Sequence, residues 1–264
     1  MRAGDAFAMM IWSETPTGHV TVTVPDQPSL LADLGQRLAE GRGFSVATLN
    51  LDHAVKLTRD PAFRAAYAAQ THVTADGNPI VWLSRLAGQS VELVPGADLI
   101  VPLARLAAEK QVPVAFFGAT EASLQAAAEA MRKKAPGIDI VATLAPPMGF
   151  DPHGAEADAA IAQLRDSGAR LVFLALGAPK QEIFADRAQE ALPGVGFVSI
   201  GAGLDFLAGA QTRAPAWVRR LAGEWLWRML SSPKRLAARY GACILALPGL
   251  TWRAWTARRK ARTA

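Results

Sequence analysis

The sequence predicts an α/β fold: a Rossmann-like parallel sheet flanked by helices, with a helical, basic C-terminal appendage. Three observations carry this. Between residues 112 and 200, short apolar runs alternate with amphipathic helical stretches, the pattern of parallel strands joined by helical crossovers. Glycines and polar residues gather just after those runs, at the carboxyl ends of the strands, where open α/β sheets bind ligands. The charge divides near residue 212. Residues 213–264 hold 12 of the 28 Lys and Arg but one of the 23 acids, a charge of +11, which leaves −6 for residues 1–212. Five of the seven tryptophans lie in that same last fifth. The chain therefore divides into a core, 1–212, and an appendage, 213–264.

Along the chain, residues 19–24 alternate as a strand. Residues 29–40 place Leu30, Leu31, Leu34 and Leu38 on one helical face. Residues 44–49 form the next strand, followed by a polar break at Asn50 to His53 and a helical stretch reaching Tyr67, in which Asp60-Pro61 reads as an N-cap followed by proline at the first helical position. Residues 71–74 form a short strand ending in Ala75-Asp76-Gly77-Asn78, with helices expected over 79–87 and 98–110. Strands are then expected at 112–117, 138–142, 170–176 and 196–200, with helices at 121–134, 154–167 and 180–191 between them. The run 171–176 is apolar throughout and is bounded by Gly177, as a buried strand would be. In the appendage, Ala214-Pro215 opens a helix reaching about 230, Pro233 opens another reaching about 247, and Pro248-Gly249 is expected to interrupt it before a basic tail.

Composition narrows the function classes. A chain of 264 residues that is 51% apolar builds a sizeable core. Its single cysteine, Cys243, excludes an intramolecular disulfide, and no Cys/His spacing resembles a zinc site. The apolar stretch 7–12 is too short for a signal peptide, and no run approaches the roughly 18 apolar residues of a membrane span. A cytoplasmic location is the expectation. His19, His53, His72 and His153 have no metal spacing and read as surface or structural residues.

Several polar sets fall at the predicted strand ends: Thr48 and Asn50; Asp76; Gly118 and Thr120; Lys180, Gln181 and Glu182; Gly201, Gly203 and Asp205. Each set alone is also compatible with an ordinary turn. Asp-Gly is a common turn pair, and Lys180-Gln181-Glu182 is also what a solvated helix start looks like. Gly201-Ala202-Gly203 lacks the third glycine of a dinucleotide fingerprint, no P-loop motif is present, and neither Ser45 nor Ser199 sits in a nucleophile elbow. Nicotinamide enzymes, P-loop NTPases and serine hydrolases are disfavoured.

The order of motifs is more specific than any one of them. Thr48-Leu49-Asn50, Asp76-Gly77, Pro95-Gly96-Ala97-Asp98 and Phe116-Phe117-Gly118 are followed by Gly177-Ala178-Pro179-Lys180-Gln181-Glu182, Gly201-Ala202-Gly203-Leu204-Asp205-Phe206, Gly209 and Arg213-Ala214-Pro215-Ala216-Trp217, then by Glu224-Trp225-Leu226-Trp227-Arg228 and Pro233-Lys234-Arg235. Over roughly residues 44–240 the chain resembles the WecG/TagA/CpsF glycosyltransferase family (glycosyltransferase family 26). The resemblance implies an inverting transfer from a UDP-sugar to a polyprenyl-diphosphate-linked sugar, without a metal or other cofactor, in cell-surface or exopolysaccharide synthesis on the inner face of the bacterial plasma membrane. It implies Asp76 as catalytic base, with Thr48 at the reaction centre. Asn50, Gln181 and Asp205 match donor-pocket positions, and Gly118, Lys180 and Glu182 belong to the same strand-end sets. Arg228, Arg235 and, less closely, Arg239 match arginines that reach the diphosphate. Many relatives carry an arginine before the Pro-Gly-x-Asp element, where this chain has Leu93 and Val94, so the donor sugar stays open; N-acetylmannosamine, glucose and uronic-acid donors are all compatible with the resemblance.

The proposed roles suit these side chains. A carboxylate in a partly dry cleft is a better base near neutral pH, and general-base help is worth about 10²–10⁴-fold. Arginine forks neutralise a departing diphosphate. Trp with Arg suits an anionic membrane surface, which predicts that 213–264 docks there. Homo-oligomerisation is compatible with the family. Two further readings differ in class: a non-catalytic nucleotide-sugar-binding protein, and a nucleic-acid-binding protein using the basic tail. The acidic core argues against nucleic acid as a partner.

Overall fold

A computed structural model describes residues 9–16, 18–211, 214–215, 218, 227, 229 and 233–263, with the side chains of the last helix described from Leu236 to Ala261. Most of the expected helix over 214–230, and the boundary at 212/213, lie outside the described residues.

A short hairpin, β1 (Ser13–Thr15) and β2 (Gly18–Val20), precedes helix α1 (Gln27–Glu40). Then come β3 (Phe44–Leu49), α2 (Leu51–Leu57), α3 (Pro61–Ala68), β4 (His72–Ala75), α4 (Asn78–Ala87) and α5 (Gly96–Glu109). The alternation continues through β5 (Val114–Gly118), α6 (Glu121–Lys134), β6 (Ile140–Leu144), α7 (Ala155–Asp166), β7 (Leu171–Ala175), α8 (Lys180–Ala191), β8 (Gly196–Ser199) and the short α9 (Gly203–Leu207). The helix over Pro233–Thr263 is α10. Local chemistry sets the helix starts. Asp26, Asn50, Asp60 and Thr120 each accept the backbone N–H three residues on, at 2.7, 3.0, 3.0 and 3.2 Å, the N-cap bond that satisfies an orphan donor.

Six strands form one parallel sheet in the order β4-β3-β8-β7-β5-β6. Because side chains alternate across a strand, each strand feeds two apolar layers. Phe44, Val46, Val114, Phe116, Leu171, Phe173 and Val198 meet α1, α5, α6 and α9 on one face. On the other, Phe117, Val172, Leu174 and Phe197 meet α7 and α8, while Ala47, Leu49, Val73 and Ala75 meet α2, α3, α4 and α10. Each fully buried Phe or Leu here contributes about 1.5–3 kcal/mol.

The topology has a switch point. β5 leads outward to β6, whereas its neighbour β7 leads inward to β8, so the loops after β5 and β7 diverge and leave a crevice above their carboxyl ends. Gly118 closes β5 at φ 124°, and a Cβ there would lie 2.4 Å from the carbonyl carbon of Ala175. No other residue fits this junction.

Two expectations are corrected. The strand expected over 19–24 ends at Val20. Beyond it, the Thr23 and Val24 N–H groups both donate to the Val73 carbonyl, at 2.9 and 3.2 Å, and Thr23 Oγ1 accepts the Val73 N–H at 2.9 Å. This segment covers the edge strand β4 without forming a regular ladder, one of the ways natural sheets protect an edge. The break expected at Pro248-Gly249 does not occur, and α10 runs through it. Residues on both sides of the proline, Leu247, Leu250 and Ala254, join the same apolar cluster, and that shared packing offsets the hydrogen bond proline removes.

Candidate active site at the carboxyl edge of the sheet

The strand register brings Thr48 and Asp76 to neighbouring strand ends. Thr48 pairs with Thr74 and Leu49 with Ala75, and the Asp76 N–H donates to the Leu49 carbonyl at 2.7 Å, extending the ladder by one residue. Gly77 then turns the chain at φ 108° into α4. Asp76 is half-buried and Thr48 buried. On the other side of Thr48 stands the start of α5. A Cβ on Gly96 would lie 3.2 Å from Thr48 Cγ2 and 2.9 Å from the Ser199 carbonyl oxygen, so the Pro-Gly element lets this helix abut the ends of β3 and β8. The adjoining chain pairs with β4. Leu93 bridges Ala75, the Val94 N–H donates to the Ala75 carbonyl at 2.8 Å, and the Thr74 hydroxyl donates to the Val94 carbonyl at 2.8 Å. Leu93 is exposed beside Asp76, while Val94 is core.

Asn50 caps α2, its side-chain oxygen taking the His53 N–H. Gly118 lines the switch point four strands from β4, about 19 Å across the edge at the usual strand spacing. A ligand that reaches both Asp76 and this crevice is therefore elongated.

The Lys180-Gln181-Glu182 set divides on folding. Lys180 is half-buried at the start of α8, whereas Gln181 and Glu182 are buried. Gln181 Nε2 donates to Glu182 Oε1 at 2.8 Å, and Gln181 Oε1 accepts the Gly201 N–H at 3.2 Å. That amide ties the loop after β7 to the loop after β8. Glu182 is fully inaccessible, and burial raises its pKa from 4.5 to about 7 against the opposing pull of the Gln181 bond and Lys56. Asp205 sits on α9, its carboxylate held by Gln211 Nε2 at 2.8 Å.

Of the appendage arginines, Arg228 and the Arg235 side chain lie outside the described residues. Arg239, on α10, places Nη2 2.8 Å from Asp52 Oδ2. Lys56 Nζ approaches the same oxygen at 2.9 Å and also donates to the Ala178 carbonyl at 3.2 Å. Arg239, Asp52 and Lys56 thus connect α10, α2 and the loop that precedes Lys180.

Sequence reasoning missed Asp52, Lys56 and Tyr67, and gave His53 no role beyond a surface or structural one. Asp52 and Lys56 had a visible signal, an i, i+4 acid–base pair just after a strand end. Tyr67 had none, because its partners come from other elements. His53 is buried, and its Nδ1 faces the Tyr67 hydroxyl at 3.2 Å. Burial drives its pKa from 6.5 to about 3, opposed by nearby Asp52, so the ring is neutral. Burial also raises the Tyr67 hydroxyl well above its usual range, helped by the negative charges of Glu182 and Asp76.

The profile of the Glycosyl transferase WecG/TagA/CpsF family matches residues 16–264. The chain is also 27% identical over 200 residues, 75% of each chain, to an N-acetylglucosaminyldiphosphoundecaprenol N-acetyl-beta-D-mannosaminyltransferase of Bacillus spizizenii.

Proposed function

From the premise that this chain belongs to the WecG/TagA/CpsF glycosyltransferase family, we propose that it moves a sugar, with inversion, from a UDP-sugar to a polyprenyl-diphosphate-linked N-acetylglucosamine in cell-surface polysaccharide synthesis. The observation that supports this reading is that Thr48 and Asp76 lie at the ends of adjoining strands beside the start of α5. In the reaction, the acceptor hydroxyl attacks the anomeric carbon from the face opposite the diphosphate. The carbon–oxygen bond to the diphosphate breaks, and UDP leaves with that electron pair. The acceptor proton passes to the Asp76 carboxylate, the task of a general base. Thr48, held in the seam beside it, orients the reacting sugar. The diphosphate needs cations where its charge develops. Lys180 at the head of α8 is one candidate, and Arg228 and Arg235 of the appendage are two more. Arg239 serves this site through Asp52 in the arrangement described.

The relative of known activity is named for a lipid-linked acceptor, and this chain has a matching surface. No helix among the described residues is long and apolar enough to cross a membrane. The outward face of α10 instead shows Leu245, Trp252 and Trp255 at 83, 64 and 39% exposure. The two indoles lie 5.1 Å apart, and the Arg259 guanidinium sits 4.6 Å from the Trp255 ring centroid. In this reading the appendage docks on the anionic inner face of the plasma membrane, where such side chains partition.

UDP release is measured with a panel of UDP-sugars and a polyprenyl-diphosphate N-acetylglucosamine acceptor. Acceptor-dependent release with at least one donor is expected. UDP binding without release for every donor would instead favour a nucleotide-sugar-binding protein.

A further inference from the structure

A side chain from another element takes the first backbone donor beyond the β7–β8 ladder. The Ile200 N–H continues that ladder, donating to the Leu174 carbonyl at 2.9 Å. The next N–H, that of Gly201, donates instead to Gln181 Oε1 at 3.2 Å. Gly201 stands at φ 56°, and a Cβ on it would meet nothing within 4 Å, so the turn is open on one side. On another side the same loop is pressed by α5. A Cβ on Gly203 would lie 2.2 Å from Ile100 Cδ1, and a Cβ on Gly96 would lie 3.1 Å from Ile200 Cα and 3.2 Å from Thr48 Cγ2. The placing of this loop therefore affects the start of α5 and, through it, Thr48.

Glu182 fixes the direction of the Gln181 amide. The Gly201 N–H can only donate, so the amide atom facing it is the oxygen, and the amide NH2 faces the other way. There Glu182 Oε1 accepts Gln181 Nε2 at 2.8 Å. Gln181 is 2% exposed and Glu182 fully inaccessible, so bulk water reaches neither. The Glu182 backbone is pinned as well, its carbonyl accepting Gln70 Nε2 at 3.3 Å from just beyond α3. The carboxyl group is costly in this place. Its second oxygen, Oε2, is buried with no hydrogen-bond partner among the described residues, and a buried polar atom left unpaired lowers stability. An apolar side chain of similar shape avoids that cost. What it lacks is the acceptor oxygen, and a buried amide with both of its ends bonded has one orientation.

We propose that Glu182 is a positioning residue for sugar transfer: its buried carboxyl oxygen holds the Gln181 amide with the carbonyl toward Gly201, and the loop braced in this way supports the start of α5 against Thr48. The lock rests on the glycosyltransferase reading for its consequence, but the bond itself is read without activity. Hydrogen exchange of the nitrogen-15-labelled full chain is followed by NMR at Gly201, with Phe197 and Val198 in β8 as internal controls. Gly201 is expected to be protected in the wild type. In Glu182→Met it should exchange at least about tenfold faster while the two controls hold, since local opening leaves core strands protected. Glu182→Gln, which returns an acceptor oxygen to the same place, is expected to restore the protection. Rapid exchange of Gly201 in the wild type would overturn the lock whether or not any variant folds.

The kinetic arm uses the same two variants. Small displacements of reacting groups lower turnover steeply, so Glu182→Met is expected to reduce kcat on the order of 10-fold. Its Tm should be no lower than wild type, because the unpaired oxygen is gone. Glu182→Gln should recover most of the lost turnover. A merely structural residue would not give lower kcat at undiminished Tm together with rescue by an acceptor. If Glu182→Met keeps both Gly201 protection and kcat, or if Glu182→Gln is as impaired as Glu182→Met, the proposal fails. If the wild type shows the expected exchange pattern but turns over no donor, the function reading fails and the lock stands, a result distinct from either.

Discussion

Asp52 Oδ2 lies 2.8 Å from Arg239 Nη2 and thereby ties the C-terminal helix to the helix that starts beside Thr48. Lys56 shares that oxygen, so the three charges are not equivalent. Removing Arg239 leaves Asp52 paired with Lys56. Removing Asp52 leaves two cations facing one another. Arg239 is more than a third exposed, so its pair is screened and worth about 1 kcal/mol or less. Urea unfolding is expected to show Asp52→Ala costing more than Arg239→Ala, and limited proteolysis should cleave α10 sooner in the former. Equal effects would mean that the apolar contacts of Leu250 and Ala254 alone hold the helix.

Asp76→Asn tests the base. The amide keeps shape and hydrogen bonding but accepts no proton, so turnover should fall about 10²–10⁴-fold, with Tm and UDP affinity unchanged. Thr48→Val keeps the volume of a buried side chain and removes the hydroxyl; kcat should fall while the fold holds. Full activity of Asp76→Asn in the UDP-release assay would remove Asp76 from the mechanism.

Much of this site was legible before any coordinates, and the reason is topological. A parallel sheet places every strand's carboxyl end on one edge, so finding strands in sequence also finds Thr48, Asn50, Asp76, Gly118 and Lys180. What could not be read is direction. Lys180, Gln181 and Glu182 are adjacent, yet Glu182 is fully buried and Gln181 braces Gly201. Neighbouring helical residues point about 100° apart, and which one faces inward depends on how the helix sits on the sheet. Tyr67 was invisible for the same reason, since its relation to His53 exists only after α3 packs on α2. Pro248 misled because local propensity favours a break, and tertiary packing overrode it.

Glu182 gives a pH signature. Its pKa rises from 4.5 to about 7 on folding, so between those values the folded state binds more protons than the unfolded one. Stability from this group is therefore present below about pH 4.5 and is lost as pH rises to about 7, by about 3 kcal/mol in all. His53, with its depressed pKa, acts in the opposite direction, gaining stability between about 3 and 6.5. Because His53 is present in both proteins, the difference between wild type and Glu182→Gln isolates the carboxylate. Denaturant titrations should show the variant matching wild type near pH 4.5 and exceeding it above pH 7. A constant difference across that range would show that Glu182 titrates normally.

The outward face of α10 makes the last prediction. A helix packed on a core normally turns its polar side to water. Here Leu250 and Ala254 face the core while Leu245 and Trp252 face out, so apolar residues occupy both sides. Because Leu245 and Trp252 are mostly exposed, replacing them should change folding stability by no more than about 0.5 kcal/mol. Their loss should nonetheless weaken binding to a lipid surface, since the indoles and the leucine would otherwise sit at the headgroup boundary. Attraction of nearby Lys and Arg adds about 1 kcal/mol for each well-placed charge and is screened by salt. Leu245→Glu with Trp252→Ala is therefore expected to abolish sedimentation with phosphatidylglycerol-containing vesicles while leaving circular dichroism and Tm unchanged. Wild-type binding should weaken as salt rises and be slight on phosphatidylcholine. Undiminished sedimentation of the double variant would move the membrane contact elsewhere on the molecule.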